Sequence, residues 1–406
     1  MTNTRIRISS LLLAISGLLT PHAAAFGAGK APKTHELTFS GKATPEQYYV
    51  PVYTSFTVPE GIVKISVTQH LGSGEARPGN LDLGIFDERG AGFEGPGFRG
   101  WSGGARRSFE IGETEATPGY LAGRINPGRW TVIQMPTTAG RTTDWTLKIT
   151  LTEGPRAKKL PAPSYAAPQL NDKPGWYRIA PHVHTVHSDG RLTPAEVIAL
   201  GKASGLDGIV STDHNTTSAL LHWGEVQDPE FLVINGVEVT YGQGHWNIFG
   251  LDPHAWIDFR IHHNDTLRYR KAVAKARKAG RLLVANHPYN LDFLYDVTPM
   301  DGIEVWNSAW SPANERAVEL WHTLLVGGNR KFAVASTDFH RGGNIASPHT
   351  VVRAEALSAE AVIDAIAAGR SYVARDASVE IGMQVRNSAT PVQHADIGDT
   401  LLRSGG

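Results

Sequence analysis

Apolar and polar residues alternate through the first third of the chain. Ile62-Val63-Lys64-Ile65-Ser66-Val67, Trp130-Thr131-Val132-Ile133-Gln134 and Trp145-Thr146-Leu147-Lys148-Ile149-Thr150-Leu151 carry the pattern between glycine and proline turns. Period two sends successive side chains to opposite faces of a strand. Residues 34–153 are therefore expected to form an all-β, sandwich-like domain. The glycine-rich stretch 90–104 lacks the strand and helix flanks of a phosphate loop and reads as a long loop without chemistry. Residues 154–175 hold five prolines and few large apolar side chains, the composition of an extended linker.

From Trp176 the rhythm changes to strand and helix in alternation. Thr193-Pro194-Ala195-Glu196 combines a capping threonine, proline at the first helical position and a glutamate that closes a capping box. Gly205 ends that helix, and Gly208-Ile209-Val210-Ser211 reads as the next strand. Helices are expected over 264–279, 312–326 and 358–368, each followed by glycine. Leu282-Leu283-Val284-Ala285 and Phe332-Ala333-Val334-Ala335 are strands between them. Such alternation with short connections predicts a parallel α/β sheet, open or closed into a barrel, over residues 176–376. Residues 377–406 read as a C-terminal β extension, expected to be incomplete. The basic run from Arg268 to Arg281 has Val273, Ala276 and Ala279 on one face, so it is expected to be a solvated outer helix and not a nucleic-acid contact.

Composition narrows the chemistry. Lysine plus arginine and aspartate plus glutamate both number 39 in 406 residues, which leaves no net field to attract nucleic acid. Residues 1–25 have Arg5 and Arg7, a short apolar run and Ala23-Ala24-Ala25, the layout of a cleaved signal peptide. No later stretch is apolar for long enough to anchor the chain in a bilayer, so a periplasmic or secreted protein is expected. There is no cysteine, so any metal site must use nitrogen and oxygen ligands.

All but four of the seventeen histidines fall between His182 and His349. Their placement is more telling than their number. Ile179-Ala180-Pro181 runs into His182 and His184, with Asp189 close behind, and Val210-Ser211-Thr212 runs into Asp213 and His214. Ile234-Asn235-Gly236-Val237 runs into Glu238, and His245 precedes Trp246-Asn247-Ile248-Phe249. Val284-Ala285-Asn286 meets His287, and Val334-Ala335-Ser336-Thr337 meets Asp338 and His340. Strand ends converge on one face of an α/β barrel, so these side chains are expected to meet there and hold metal.

The segments His182-Val183-His184-Thr185-Val186-His187-Ser188-Asp189-Gly190, Thr212-Asp213-His214-Asn215-Thr216, Gly236-Val237-Glu238, Asn286-His287-Pro288 and Ser336-Thr337-Asp338-Phe339-His340 occur in that order. Together they resemble the polymerase-and-histidinol-phosphatase (PHP) superfamily. Ile303-Glu304-Val305-Trp306-Asn307, Asn314-Glu315-Arg316 and Ala368-Gly369-Arg370-Ser371-Tyr372 are similar to its carbaryl-hydrolase-like branch. The resemblance implies a distorted (β/α)7 barrel holding two or three divalent ions, commonly zinc, manganese or iron. It implies ligand roles for His182, His184, Asp189, His214, Glu238, His245, His287, Asp338 and His340. Thr337 and Phe339 depart from the usual pattern without touching a ligand position.

Glu238 is expected to bridge ions, because a carboxylate has two oxygens. Asp338 and His340 are the residues expected to assist proton transfer. Asp213 is read either as the partner of an imidazole or as the cap of its following loop, and His187 as a rim residue. Arg341, Arg370, Tyr289 and Asn290 adjoin ligand segments and are substrate-binding candidates. The expected activity is hydrolysis of a small phosphate mono- or diester by metal-activated water. The alternatives are carboxyl-ester or carbamate hydrolysis and a non-catalytic envelope- or glycan-binding role.

Overall fold

In the computed structural model, residues 32–72, 78–289, 296–382, 385–386 and 394–399 are described. The expected signal peptide and Asn290 lie outside them, as does most of the C-terminal extension.

Eight strands build the first region: β1 (Thr34–Ala43), β2 (Val52–Val58), β3 (Ile62–Gly72), β4 (Leu81–Phe86), β5 (Phe98–Gly103), β6 (Ser108–Gly112), β7 (Gly128–Pro136) and β8 (Thr143–Glu153). They form two four-stranded antiparallel sheets, ordered β1-β8-β3-β6 and β2-β7-β4-β5. In β8 buried and more exposed positions alternate, as a strand with one solvated face requires. In β7 every residue from Trp130 to Pro136 is buried. The second sheet is covered on both faces: Trp130, Val132 and Ile85 face the sandwich interior, whereas Ile133, Met135, Phe86 and Trp101 join the core of the next region. The 90–104 stretch is not all loop, since Phe98–Gly103 is the edge strand β5 paired with β4. Phe98 stacks on Trp256 with ring centroids 4.3 Å apart, and apolar burial of that kind favours a strand over a solvated loop.

The linker leads through β9 (Gln169–Asn171) to β10 (Gly175–Val183), followed by α1 (Pro194–Ala203), β11 (Gly208–Ser211), β12 (Leu232–Tyr241), β13 (Gly244–Phe249), α2 (Thr266–Ala279), β14 (Leu282–Ala285), β15 (Gly302–Asn307), α3 (Pro312–Val326), β16 (Phe332–Ser336), β17 (His349–Ala354), β18 (Leu357–Ser358), α4 (Ala359–Ala367) and β19 (Ser371–Ala374). The capping box on α1 is present, with Thr193 accepting from the Glu196 amide. Buried Tyr269, Ala272, Val273 and Ala276 seat α2 on the barrel, its Arg277 pairs outward with Asp301, and Arg281 just beyond the helix pairs with Asp364. No helix among the described residues is long and apolar enough to cross a membrane.

Nine strands form one nearly closed, barrel-like sheet in the order β16-β15-β14-β13-β12-β11-β10-β17-β19. The sheet is mixed rather than wholly parallel. β13 runs against both β12 and β14, and β17 runs against β10 and β19. Only Gly242 and Gln243 separate β12 from β13, too few for a crossover helix, so the chain makes a hairpin.

Closure occurs at β10. Its first half pairs with β17, and its end bridges Val183 to Phe339 beyond β16. Side-chain hydroxyls substitute for ladder bonds at this seam. Ser336 Oγ accepts from the His182 amide at 3.1 Å and donates to its carbonyl at 3.0 Å. Thr212 Oγ1 does the same for Val183, and Thr350 Oγ1 for Ala335. A strand end freed from its regular ladder remains fully satisfied, as buried backbone must be.

Candidate metal centre

Every parallel strand that carries an expected ligand ends on the same face of the sheet. β13 is opposed, so its beginning lies there, and His245 sits opposite Thr240 near the end of β12. The one expected ligand that preceded its strand thus reaches the same place as those that followed theirs.

All nine expected ligands come together. Their donor atoms fall into overlapping groups whose members lie within 4.8 Å of one another: His184, Asp189, His214 and His340; His182, His184, Glu238 and Asp338; and His214, Glu238 and His245. A fourth group joins His182 and His287 to Glu304. Glu238 is fully buried at the junction. Its Oε1 lies 3.3 Å from His182 Nε2, 3.2 Å from His245 Nδ1 and 3.4 Å from His287 Nε2. Its Oε2 lies 2.8 Å from His214 Nδ1 and 3.4 Å from His184 Nε2. Asp338 Oδ1 is shared between His182 Nε2 at 3.1 Å and His184 Nε2 at 3.0 Å. Asp338 and His287 hold φ of +53° and +26°, uncommon for side chains larger than glycine and typical of functional positions.

The donor set fits divalent ions. His182 Nε2 and Glu238 Oε2 are buried and make no hydrogen bond among the described residues, although oppositely polarised atoms surround both. Lone pairs of imidazole and carboxylate aimed at a common point, without hydrogen-bond geometry between them, suit a cation. Oxygen and imidazole donors without sulfur suit zinc, manganese or iron.

Charge coupling across the cluster is strong. Burial raises the Glu238 carboxyl, but His182, His214 and His245 together pull it well below the usual carboxylate range. Asp338 follows the same balance, with His182 and His184 prevailing over burial. Burial opposes protonation of His214, yet Glu238 and Asp189 overcome it and push the imidazolium up to about 10. His184 goes the other way, down to about 3, because burial is reinforced by His340 and His214.

Supporting residues were less visible in the sequence. Glu304, midway along the buried β15, places Oε1 3.1 Å from His182 Nδ1, while Oε2 accepts from the His287 amide and Asn307 Nδ2. A carboxylate in an apolar strand between two ligand strands was the available signal. Thr240 Oγ1 lies 2.6 Å from His214 Nδ1. Asn286 Nδ2 donates to Glu238 Oε1 at 2.8 Å. Among the described residues Asp213 bonds to no imidazole and caps no loop after it. It accepts from the Thr185 amide, Thr185 Oγ1 and Ser188 Oγ, holding the preceding loop that ends in Asp189. His187 stays out of every metal group; its Nδ1 lies 2.8 Å from Ser218 Oγ, beneath the sandwich.

The substrate-binding candidates separate. Arg341 lines an open cleft of about 1070 Å³ beside Asp338 and His340, together with Arg106 and Arg191. Tyr289 lies under the Arg316 guanidinium, 4.3 Å from ring centroid to Cζ. Arg370 precedes β19, whose first residue pairs with Val352 late in β17, so it stands at the opposite end of the barrel. It faces Glu355 there, 3.7 Å away, and the antiparallel course of β19 is what removes it from the site.

The sandwich reaches the metal groups through the loop after β11. Thr216 Oγ1 donates to the Gly119 carbonyl, and the Gly119 amide donates to Ser218 Oγ. Gly119 has φ of +98°, and a Cβ there would lie 2.7 Å from the carbonyl oxygens of His187 and Trp101. Arg106 donates to the carbonyls of Ser188 and Val186, in the loop after β10 that carries Asp189.

No family model matches the chain, and no curated protein matches it. Among solved structures it is similar to a two-domain protein from Bacteroides vulgatus containing a predicted PHP-like metal-dependent phosphoesterase. That likeness has 20% identity over 55% of this chain and 70% of the other, with a TM-score of 0.38. It is also similar to an amidohydrolase from Chromobacterium violaceum, with 19% identity over 41% of this chain and 89% of that one, at a TM-score of 0.32.

Proposed function

We propose that this chain is an exported metal-dependent hydrolase acting on a small phosphate mono- or diester. The observation that supports it most is Glu238, buried between two sets of imidazoles with one oxygen turned toward each. Two or three divalent ions held by the nine ligands would supply acidity to a coordinated water and neutralise charge on the reacting oxygens.

The chain's own side chains then orient the substrate and move protons. Arg106, Arg191 and Arg341 place positive charge around the cleft, which suits a phosphoryl group. His340 lines that cleft with Nε2 3.2 Å from Asp189 Oδ1, placed to take or give a proton at the mouth. Asp338, sharing one oxygen between two imidazoles, holds those rings in position. Carboxyl-ester or carbamate hydrolysis is the second reading, favoured by the largely apolar cavity on the other side of Asp189. A purely binding role would not require a complete set of nine converging donors.

Elemental analysis of the purified protein and assays on p-nitrophenyl phosphate, bis-p-nitrophenyl phosphate, p-nitrophenyl acetate and a naphthyl carbamate test the proposal. Bound metal and phosphoester turnover, both lost in His182→Ala and Glu238→Ala, are expected. Full activity in a metal-free preparation would overturn it, and turnover of the carbon esters alone would select the second reading. Export predicts a mature N-terminus near Phe26, readable by mass spectrometry of cell fractions.

A further inference from the structure

The metal groups open on two sides of Asp189. One is the arginine-lined cleft. The other is a cavity of about 490 Å³ roofed by the sandwich, within the size range of small-molecule sites. Tyr49, Trp101 and Met135 supply its sandwich wall and Phe259 its barrel wall, and it reaches Asp189, His214 and His245. Tyr49 is brought in by contact with the β12–β13 turn, where a Cβ on Gly242 would lie 2.8 Å from the Tyr49 ring. The rings give the cavity an aromatic-sized, apolar shape.

Two carboxylates line the cavity: Asp189, which belongs to a metal group, and Asp82, which does not. Asp82, from β4, accepts at Oδ1 from Asn80 Nδ2 at 2.5 Å and Thr137 Oγ1 at 3.1 Å. Its Oδ2 accepts no hydrogen bond among the described residues, and neither oxygen belongs to a metal group. Burial pushes its carboxyl up to about 6, against the hydrogen bond from Thr137 and the charge of His214. A carboxylate in such surroundings gains most from a donor brought by a ligand.

We propose that this cavity holds the non-reacting body of the substrate, an aromatic-sized apolar group bearing a hydroxyl or ammonium donor that Asp82 Oδ2 accepts. The use of the pocket rests on the hydrolase reading; occupancy of the pocket does not. The sandwich is then the part of the protein that selects among esters, and the barrel the part that cleaves them.

Calorimetric titration of the manganese-loaded full chain with tyramine, a ring with a donor at each end, tests the pocket directly. Saturable binding is expected, weakened at least tenfold by Asp82→Asn and by Met135→Trp, with metal content and far-ultraviolet circular dichroism unchanged. Absence of saturable binding, or equal affinity in wild type and Asp82→Asn, overturns the proposal. Asp82→Asn is nearly isosteric and decides alone if the tryptophan variant fails to fold. Tyramine binding in a protein that turns over no ester would defeat the hydrolase reading and leave the pocket standing.

Discussion

His182 Nδ1 and Glu304 Oε1 lie 3.1 Å apart, with both side chains only 1% exposed. The ring is thereby fixed with Nε2 turned toward Asp338 and Glu238. Carboxylates behind ligating imidazoles orient the ring and raise its basicity, and their loss weakens metal binding by about 10- to 100-fold. Glu304→Gln is expected to lower metal affinity within that range while the fold persists. Competition with a chromogenic chelator measures it, and unchanged affinity would refute the role.

Asp213 gathers three donors from the loop between His184 and Asp189. Asp213→Ala leaves them buried without a partner, a loss of roughly 3 kcal/mol by the usual cost of unsatisfied groups. Urea denaturation reads the stability, and metal content should fall with it because Asp189 loses its support. A variant with wild-type stability would show that the loop is held by other means.

Gly119→Ala forces a side chain into left-handed backbone against two carbonyl oxygens. Strain and steric displacement together should cost about 3 kcal/mol. The loop docked on Gly119 includes Thr216 and Ser218, next to His214. Reduced metal content is therefore expected alongside the lowered denaturation midpoint, and a change in neither would separate the docking contact from the site.

Without metal, the histidines give stability a defined pH profile. His214 is raised from 6.5 to about 10, so its contribution is fully present below about pH 6.5 and lost as pH climbs toward 10. His184 and His187 are lowered to about 3, so stability is lost as pH falls below 6.5. The chelated protein should show its highest Tm near pH 6.5 and decline on both sides. A scanning-calorimetry series that rises steadily from pH 6 to pH 9 would contradict the charge pattern. Metal binding should likewise tighten with pH, because neutral His214 is required and a proton must leave.

Local features were legible because they depend on neighbours in the chain. Thr193 and Glu196 cap α1 whatever surrounds them, and Gly208–Ser211, Leu282–Ala285 and Pro312–Val326 have the expected bounds. The meeting of the nine expected ligands was legible because strand ends share a face. What escaped depends on partners distant in the chain. A two-residue connection turned β13 around, and that could be read only once β12 was known to reach Tyr241. Arg370 adjoins a family-like segment, yet the direction of β19 carries it away from the site. Glu304 offered only a carboxylate in an apolar strand, and Asp82 no local sign at all, since their partners His182 and Thr137 lie far away in the chain.

The bridge from Val183 to Phe339 also has a consequence in time. His184 and Asp338 stand 154 residues apart, so a chain emerging N-terminus first displays two histidines at the exit of β10 long before the carboxylate they share. The sandwich strands are all available by Glu153, ahead of any ligand. An ion captured early would be held by two imidazoles alone and would exchange readily. Lasting uptake would wait for β16, so bound metal would mark a barrel whose assembly has finished.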